Sequence, residues 1–157
     1  MGRKSIKENK SEYQKAREAA GLTREAAGDI MAFVTADKID KIENGRTSLH
    51  PEDVIAMSEC YKAPELKNYF CTHECPIGQK NVQEIKPKEL SQIVLDLLSS
   101  LNSLSKEKDR LVEITVDGEI TEDEYEDFDR ITQELRTISL TADTLQLWIE
   151  KKALKKL

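Results

Sequence analysis

The side chains most able to do chemistry are four thiol and imidazole groups. Cys71, His73 and Cys75 alternate along the chain, and Cys60 precedes them. If a helix runs through this segment, Cys71 and Cys75 lie one turn apart on one face, where they could bind zinc together with Cys60 or His73. The thiols could instead form a redox-active disulfide, or stay reduced and pack a helix end. The spacing matches no standard zinc motif, so we expect no cofactor and keep zinc as an alternative.

A second candidate metal site is the segment 113–124, which partly follows the pattern of a calcium-binding EF-hand loop. Gly118, Ile120 and Glu124 stand where that loop has glycine, isoleucine and glutamate. Glu113, however, replaces the usual first aspartate, and Thr115 is a poor third ligand. A capped turn between two helices explains the same residues, and we prefer this interpretation.

Catalytic motifs are not evident in the chain. The two histidines, His50 and His73, fall in no pattern typical of a nucleophile, a phosphate-binding loop or a zinc hydrolase. The many carboxylates belong to charged helical segments without a glycine-rich or strand context. We therefore expect that the protein is not an enzyme.

The composition indicates a charged, mostly helical protein. Hydrophobic residues make up 38% of the chain and charged residues 34%, with only six glycines and four prolines. No apolar run reaches the ~18 residues that a membrane span needs. The basic start at Met1–Lys4 is not followed by the apolar stretch of a signal peptide. These features predict a cytoplasmic protein without membrane contact.

Capping residues predict five short helices within residues 1–75. Gly21 ends the first helix, and Thr23 and Thr35 are good N-caps for the second and third. We expect the third helix to span Ala36–Glu43 and to end at an asparagine-glycine pair. Prolines are well placed to open the fourth and fifth helices.

The chain beyond residue 75 has a different pattern. Residues 76–87 hold prolines and a glycine without periodicity and read as a linker. In residues 88–157, apolar side chains recur at steps of three and four, as in a coiled coil. A turn at Asp117-Gly118 and a capping box from Thr121 to Glu124 divide this region into two long antiparallel helices.

These two helices need further cover for their apolar side chains. The predicted seam positions are Leu90, Val94, Leu97, Leu101, Leu104 and Leu111, then Phe128, Ile131, Leu135, Ile138, Ala142, Leu145 and Ile149. Further apolar residues lie outside this predicted seam, namely Ile93, Leu98, Val112, Ile114 and Trp148. We therefore expect a homodimer in which two hairpins pack as a four-helix bundle.

Charge is unevenly distributed along the chain. The net charge is −6, yet residues 1–50 hold ten Lys and Arg against eight Asp and Glu. Residues 81–157 hold eleven Lys and Arg against seventeen Asp and Glu. A mildly basic head joined to an acidic C-terminal region is typical of a DNA-reading domain attached to an oligomerisation module.

Two pieces of the head carry a family resemblance. Gly21-Leu22-Thr23 precedes the second helix, and Ile42-Glu43-Asn44-Gly45-Arg46 follows the third. With five helices in order over residues 11–66, the chain resembles the lambda-repressor-like family of bacterial and phage helix-turn-helix regulators. With the hairpin, the expected fold is all-α: a five-helix lambda-repressor-like domain followed by a long antiparallel helical hairpin. The resemblance implies a transcription regulator, such as a repressor, that binds double-stranded DNA at an operator as a dimer.

The same resemblance implies the DNA-contacting residues. The third helix would lie in the major groove, where base edges differ between base pairs. Thr23 and Arg24 would meet phosphate at a helix N-terminus. The groove face and the backbone contacts beyond it would be Thr35, Ala36, Asp37, Lys38 and Lys41, followed by Asn44 and Arg46.

Some features depart from the family. The usual glycine of the turn is missing, and the connection Met31–Val34 is about one residue longer. Asp37 and Asp40 place negative charge on or beside the groove face, although Asp37 could accept a hydrogen bond from a cytosine amino group. One alternative is therefore an antirepressor-like protein-interaction module that uses the head as a docking surface. A helical scaffold without a DNA role is the other.

Overall fold

The structure, a computed structural model, describes residues 9–154. The expectations for Met1–Lys4, and the outermost residues of the predicted head and hairpin, lie outside this range. The described residues form eight α-helices and no strand, which confirms the all-α prediction. The helices are α1 Glu12–Ala19, α2 Arg24–Met31, α3 Ala36–Glu43, α4 Pro51–Cys60, α5 Glu65–His73, α6 Gly78–Asn81, α7 Leu90–Thr115 and α8 Tyr125–Leu154.

The described residues divide into two compact units. The first unit, called the head, contains residues 9–84 together with residues 150–154, and the second, called the hairpin unit, is Ile85–Ile149. The segment 76–87, interpreted from sequence as a linker, contains the four-residue helix α6 followed by non-helical chain.

Local capping fixes where the first three helices begin. The side chains of Ser11, Thr23 and Thr35 each accept a hydrogen bond from the backbone N–H three residues further on. Such a bond satisfies one of the N–H groups that have no partner inside the helix. The predicted N-caps Thr23 and Thr35 are confirmed. The head then closes on a core contributed by all of α1–α5: Tyr13, Ala27, Met31, Val34, Ile39, Ile42, Val54, Met57, Tyr61, Ala63 and Leu66.

The connection between α2 and α3 is tight. A Cβ atom at Gly28 would lie 2.9 Å from the backbone nitrogen of Ala36, so the close approach of the two helices requires glycine there. Ala32 ends α2 with φ 62 and ψ −47. The Phe33 N–H donates to the Met31 carbonyl at 2.7 Å, which closes a γ-turn of the strained, positive-φ kind. The chain therefore carries alanine at a turn position that favours glycine.

In the hairpin unit, two ion pairs join α7 to α8. Arg110 Nε lies 2.7 Å from Asp127 Oδ2, and Arg130 Nη1 lies 3.0 Å from Glu107 Oε1. Because the residue numbers fall on α7 while they rise on α8, the two helices are antiparallel, as predicted.

The seam between these helices differs from the predicted one. Ile93, Ile114 and Ile131 have no exposed surface. The seam follows less exposed positions at alternating steps of three and four: Ile93, Leu97, Ser100, Leu104, Glu107, Leu111 and Ile114 on α7, and Asp127, Ile131, Glu134, Ile138, Thr141, Leu145 and Trp148 on α8. Thr144 is also buried, beside this stripe.

The prediction that Val94, Leu101, Leu135 and Ile149 belong to the seam is wrong, because their exposed fractions are 40%, 44%, 44% and 55%. The predictions that Ile93, Ile114 and Trp148 lie outside the seam and that Ala142, which is also exposed, lies within it are wrong too. The physical reason is that several seam positions are polar, while one flank beside the seam is rich in apolar residues. The spacing of apolar residues alone therefore assigned part of that flank to the seam.

The turn between α7 and α8 is the capped turn that the sequence favoured. Gly118 has φ +77, and Asp117 Oδ1 accepts a hydrogen bond from the Glu119 N–H at 3.1 Å. The Glu124 carboxylate accepts from both the backbone N–H and the hydroxyl of Thr121, and α8 begins at the next residue. These bonds account for the glycine and the glutamate that resembled an EF-hand loop.

Candidate DNA-binding site

The nine predicted DNA-contacting residues all lie on the start of α2, on α3 and in the caps and loop beside these helices. Thr35, Asp37, Lys41 and Arg46 are exposed, and the remaining five are partly exposed: Thr23, Arg24, Ala36, Lys38 and Asn44. The structure thus gathers the predicted residues in one two-helix element whose second helix could enter a groove.

A buried ionic network connects this element to α1. The Glu43 side chain is fully buried, and Arg17 binds it through Nε at 2.6 Å and Nη2 at 3.0 Å. Arg17 also donates to the Leu22 carbonyl at 2.7 Å. Arg24 Nη2 lies 2.8 Å from the same Glu43 carboxylate. Glu43 therefore holds the start of α2 against the end of α3 and orients the Arg24 guanidinium.

Asp40 organises three of the predicted phosphate contacts. Its carboxylate lies 3.1 Å from Arg24 Nη1 and 3.5 Å from Arg46 Nη1. It also accepts a hydrogen bond from Asn44 Nδ2 at 3.0 Å. Sequence reasoning treated Asp40 only as a source of phosphate repulsion, whereas the structure makes it the common anchor of Arg24, Asn44 and Arg46.

The two lysines of α3 also have carboxylate partners. Lys38 Nζ lies 2.6 Å from Asp53, whose side chain is buried at the start of α4. Lys41 Nζ lies 2.6 Å from Asp37 one helical turn away, and both of these side chains are exposed. Exposed pairs contribute only ~0–1 kcal/mol, so Lys41 can exchange Asp37 for a phosphate at low cost. Lys38 cannot leave Asp53 as easily, because an unpaired buried carboxylate is costly.

Comparison with known proteins identifies the element that carries these residues. Residues 14–67 match a family model described as a helix-turn-helix domain. This segment is a helix-turn-helix domain. The match runs from α1 into α5, contains all nine predicted residues and is consistent with the lambda-repressor-like family. No curated protein and no solved structure matches the chain.

The helix-turn-helix domain is a DNA-binding fold without catalytic machinery of its own, and it is typical of regulators. Its two N-caps add hydrogen-bonding capacity. Thr23 Oγ1 accepts from the Ala26 N–H at 3.1 Å, and Thr35 Oγ1 accepts from the Lys38 N–H at 3.3 Å. Because Thr35 Oγ1 acts as an acceptor, its hydroxyl proton stays available to a phosphate at the helix N-terminus, whereas the Thr23 hydroxyl also donates to the Glu25 carboxylate.

Two residues that hold the helix-turn-helix domain together were not predicted from sequence. Glu43 lies one turn after the buried Ile39, and Arg17 lies one turn after the buried Tyr13. Helical spacing therefore placed both charges on inward faces, and this signal could have shown that both side chains are buried.

The four thiol and imidazole groups do not converge on a metal site. Among residues 9–154, no group of three or more His, Cys, Asp or Glu is arranged to hold a metal ion. The His73 ring stacks on Tyr69 with centroids 4.4 Å apart, and the Cys75 sulfur accepts from the Gly78 N–H at 3.4 Å. Cys60, Cys71 and Cys75 are free, partly buried thiols, and burial raises the pKa of Cys60.

Across the described range 9–154, no helix is both long enough and apolar enough to cross a bilayer.

Proposed function

We propose that the protein is a cytoplasmic transcription regulator of bacterial or phage type that binds a specific DNA operator as a homodimer through its hairpin unit. One observation carries this proposal. A helix-turn-helix domain presents exposed polar and cationic side chains along α3 and just after it, beside two capped helix N-termini.

The proposed mechanism is insertion of α3 into the major groove. Lys41 and Arg46 exchange their carboxylate partners for DNA. The Thr35 hydroxyl donates to a phosphate, and the Thr23 hydroxyl does so once it is released from Glu25. Once Lys41 leaves, Asp37 is available to accept a hydrogen bond from a cytosine amino group. Two heads in a two-fold dimer would read half-sites about 34 Å apart, the length of one helical turn of DNA.

A specific observation favours the protein-docking alternative. Ile30 and Phe33, at the end of α2 and in the turn, are 62% and 59% exposed. The acidic residues Glu25 and Asp29 lie exposed on the same helix. Exposed apolar residues beside acidic ones suit a basic, apolar protein surface better than a phosphate backbone.

The direct test is selection of bound fragments from random or genomic DNA by the full-length protein at about 150 mM salt. We expect an enriched, approximately palindromic site. Absence of enrichment, together with capture of a protein through Ile30 and Phe33, would replace the operator proposal with the docking alternative.

Matched variants locate the DNA-binding surface. The double variant Lys41→Ala with Arg46→Ala should weaken operator binding about tenfold or more, because each residue loses a base or phosphate contact. Lys15→Ala is the control, since Lys15 is also exposed and paired with a carboxylate one turn away, but lies on α1. Lys38 is not suitable, because its loss would leave Asp53 buried and unpaired. Equal affinity of the double variant and the control would move the DNA contacts away from α3.

A further inference from the structure

The two flanks of the hairpin seam differ in chemistry. Arg110 directly precedes the seam residue Leu111, and Arg130 directly precedes the seam residue Ile131. Each arginine forms an ion pair with a carboxylate on the other helix. The flank that contains these arginines is therefore shared by α7 and α8. On α7 it continues through polar residues: Gln92, Asp96, Ser99, Ser103 and Lys106.

The opposite flank is richer in apolar residues, although Ser105 and Lys108 on α7 and Thr132, Ser139 and Gln146 on α8 interrupt it. We call its residues the lateral strip: Val94, Leu98, Leu101 and Val112 on α7, and Tyr125, Phe128, Leu135, Ala142 and Ile149 on α8. The last four recur at every seventh position, which is the repeat of a helix that packs against another helix. Exposed fractions within the strip reach 52% at Leu98, 61% at Val112 and 58% at Tyr125.

We infer that the lateral strip is the surface through which a second copy of this chain binds. The inference deepens the proposed dimeric regulator and rests on it for its biological role. The strip runs over ~32 Å and is two helices wide, so two identical strips would bury ~1,300 Å² in total, within the range of stable interfaces.

The chemistry of the strip argues for an identical partner. Apart from Lys108, which lies at a strip position on α7, it carries no charge and therefore calls for no oppositely charged ligand. An uncharged apolar strip is complementary to another copy of itself in a two-fold arrangement. Association then completes a four-helix bundle in which each hairpin covers the flank that the other leaves exposed.

The test measures the mass of the full-length protein by sedimentation equilibrium from about 1 to 100 µM. We expect a dimer for the wild type. Leu101→Lys with Leu135→Lys should weaken association about 100-fold or more, because two charges would be buried in each half of the interface. Leu95→Lys is the matched control. Leu95 is 62% exposed and lies on the side of α7 turned away from the seam, about 60° beyond Leu98 at the edge of the strip.

A gain-of-association variant sharpens the test. Lys108→Leu should strengthen association several-fold, because it removes the only charge from the strip. Circular dichroism of each variant checks that helix content is unchanged. A monomeric wild type, a strip variant that still dimerises, or dissociation by the Leu95 control would each overturn the inference. The sedimentation experiment contains no DNA, so a result that overturns the strip as the dimer surface does not test operator binding. A dimer that binds no operator would contradict only the proposed function.

Discussion

The head and the hairpin unit bury their apolar side chains in different ways. In the head, short helices surround the apolar residues from several directions, and central side chains such as Ile39 and Met57 are fully buried. In the hairpin unit, two long helices bury one stripe each, and residues such as Leu98 stay half exposed. The comparison teaches that the head has a closed core of its own, whereas the hairpin unit leaves apolar side chains exposed on both of its helices.

The largest expected effect is a loss of stability of the head when its buried charge network is broken. Glu43→Ala leaves the Arg17 guanidinium buried without its carboxylate, which should lower the free energy of unfolding by about 3–5 kcal/mol. Amide hydrogen exchange of α3 in the full-length protein measures this loss directly.

Two further variants isolate the cause. Replacing both partners, Arg17→Met with Glu43→Leu, should recover most of the stability, since no buried charge remains. Arg46→Ala, which breaks an exposed pair with Asp40, should cost less than about 1 kcal/mol. If all three changes had equal effects, burial of the network would not be what stabilises the head.

The second prediction concerns the seam of the hairpin unit. Ile131 has no exposed surface, so Ile131→Ala should destabilise the hairpin by about 2–5 kcal/mol. Leu135 lies in the lateral strip at 44% exposure, so Leu135→Ala should cost much less at a protein concentration too low for dimerisation. Urea unfolding followed by the fluorescence of Trp148, the only tryptophan, compares them. A larger destabilisation by Leu135→Ala than by Ile131→Ala would support the seam that was predicted from the sequence.

A smaller effect is expected at the turn of the helix-turn-helix domain. Ala32 has a positive φ in a strained γ-turn, so Ala32→Gly should stabilise the head by about 1 kcal/mol. Gly28→Ala should act in the opposite direction, because its Cβ would crowd the Ala36 backbone. Thermal unfolding of both variants tests this contrast, and stabilisation by Gly28→Ala would mean that α2 and α3 can move apart freely.

The smallest effect is a pH dependence of the hairpin unit. The hydrogen bond from Arg110 lowers the pKa of Asp127 below its ordinary value of 3.8. A lowered folded-state pKa means that the stabilisation is present above pH 3.8 and is lost as the pH falls through the lowered value. The difference in thermal midpoint between wild type and Asp127→Asn should therefore shrink on acidification. A difference in thermal midpoint that does not change with pH would mean that Asp127 does not contribute to the acid sensitivity of the hairpin unit.

Local signals predicted the head well. Thr35 and the Asn44-Gly45 pair bracket α3, and the predicted span Ala36–Glu43 is the observed one. A capping bond acts over three residues, so the sequence contains all the information that sets the helix ends. The helix-turn-helix family followed from such short-range features.

Long-range features could not be predicted in the same way. Arg17 and Glu43 are 26 residues apart, and only the packing of α1 on α3 brings them together. Likewise, Asp40 becomes an anchor for Arg24 only when the start of α2 lies beside α3. In the hairpin unit, the flank that contains Val94 and Leu135 is as apolar as the seam itself, and polar seam residues such as Ser100 hide the correct stripe.

The charges of α3 have a kinetic consequence. Within this helix Lys38 and Lys41 are outnumbered by Asp37, Asp40 and Glu43, so it contributes little long-range attraction to a polyanion. Proteins with strongly basic surfaces are steered electrostatically to DNA and slide along it between sites. This domain should instead encounter DNA at an unsteered rate and leave unrelated sequences quickly. Its search for an operator would then proceed mainly through three-dimensional diffusion.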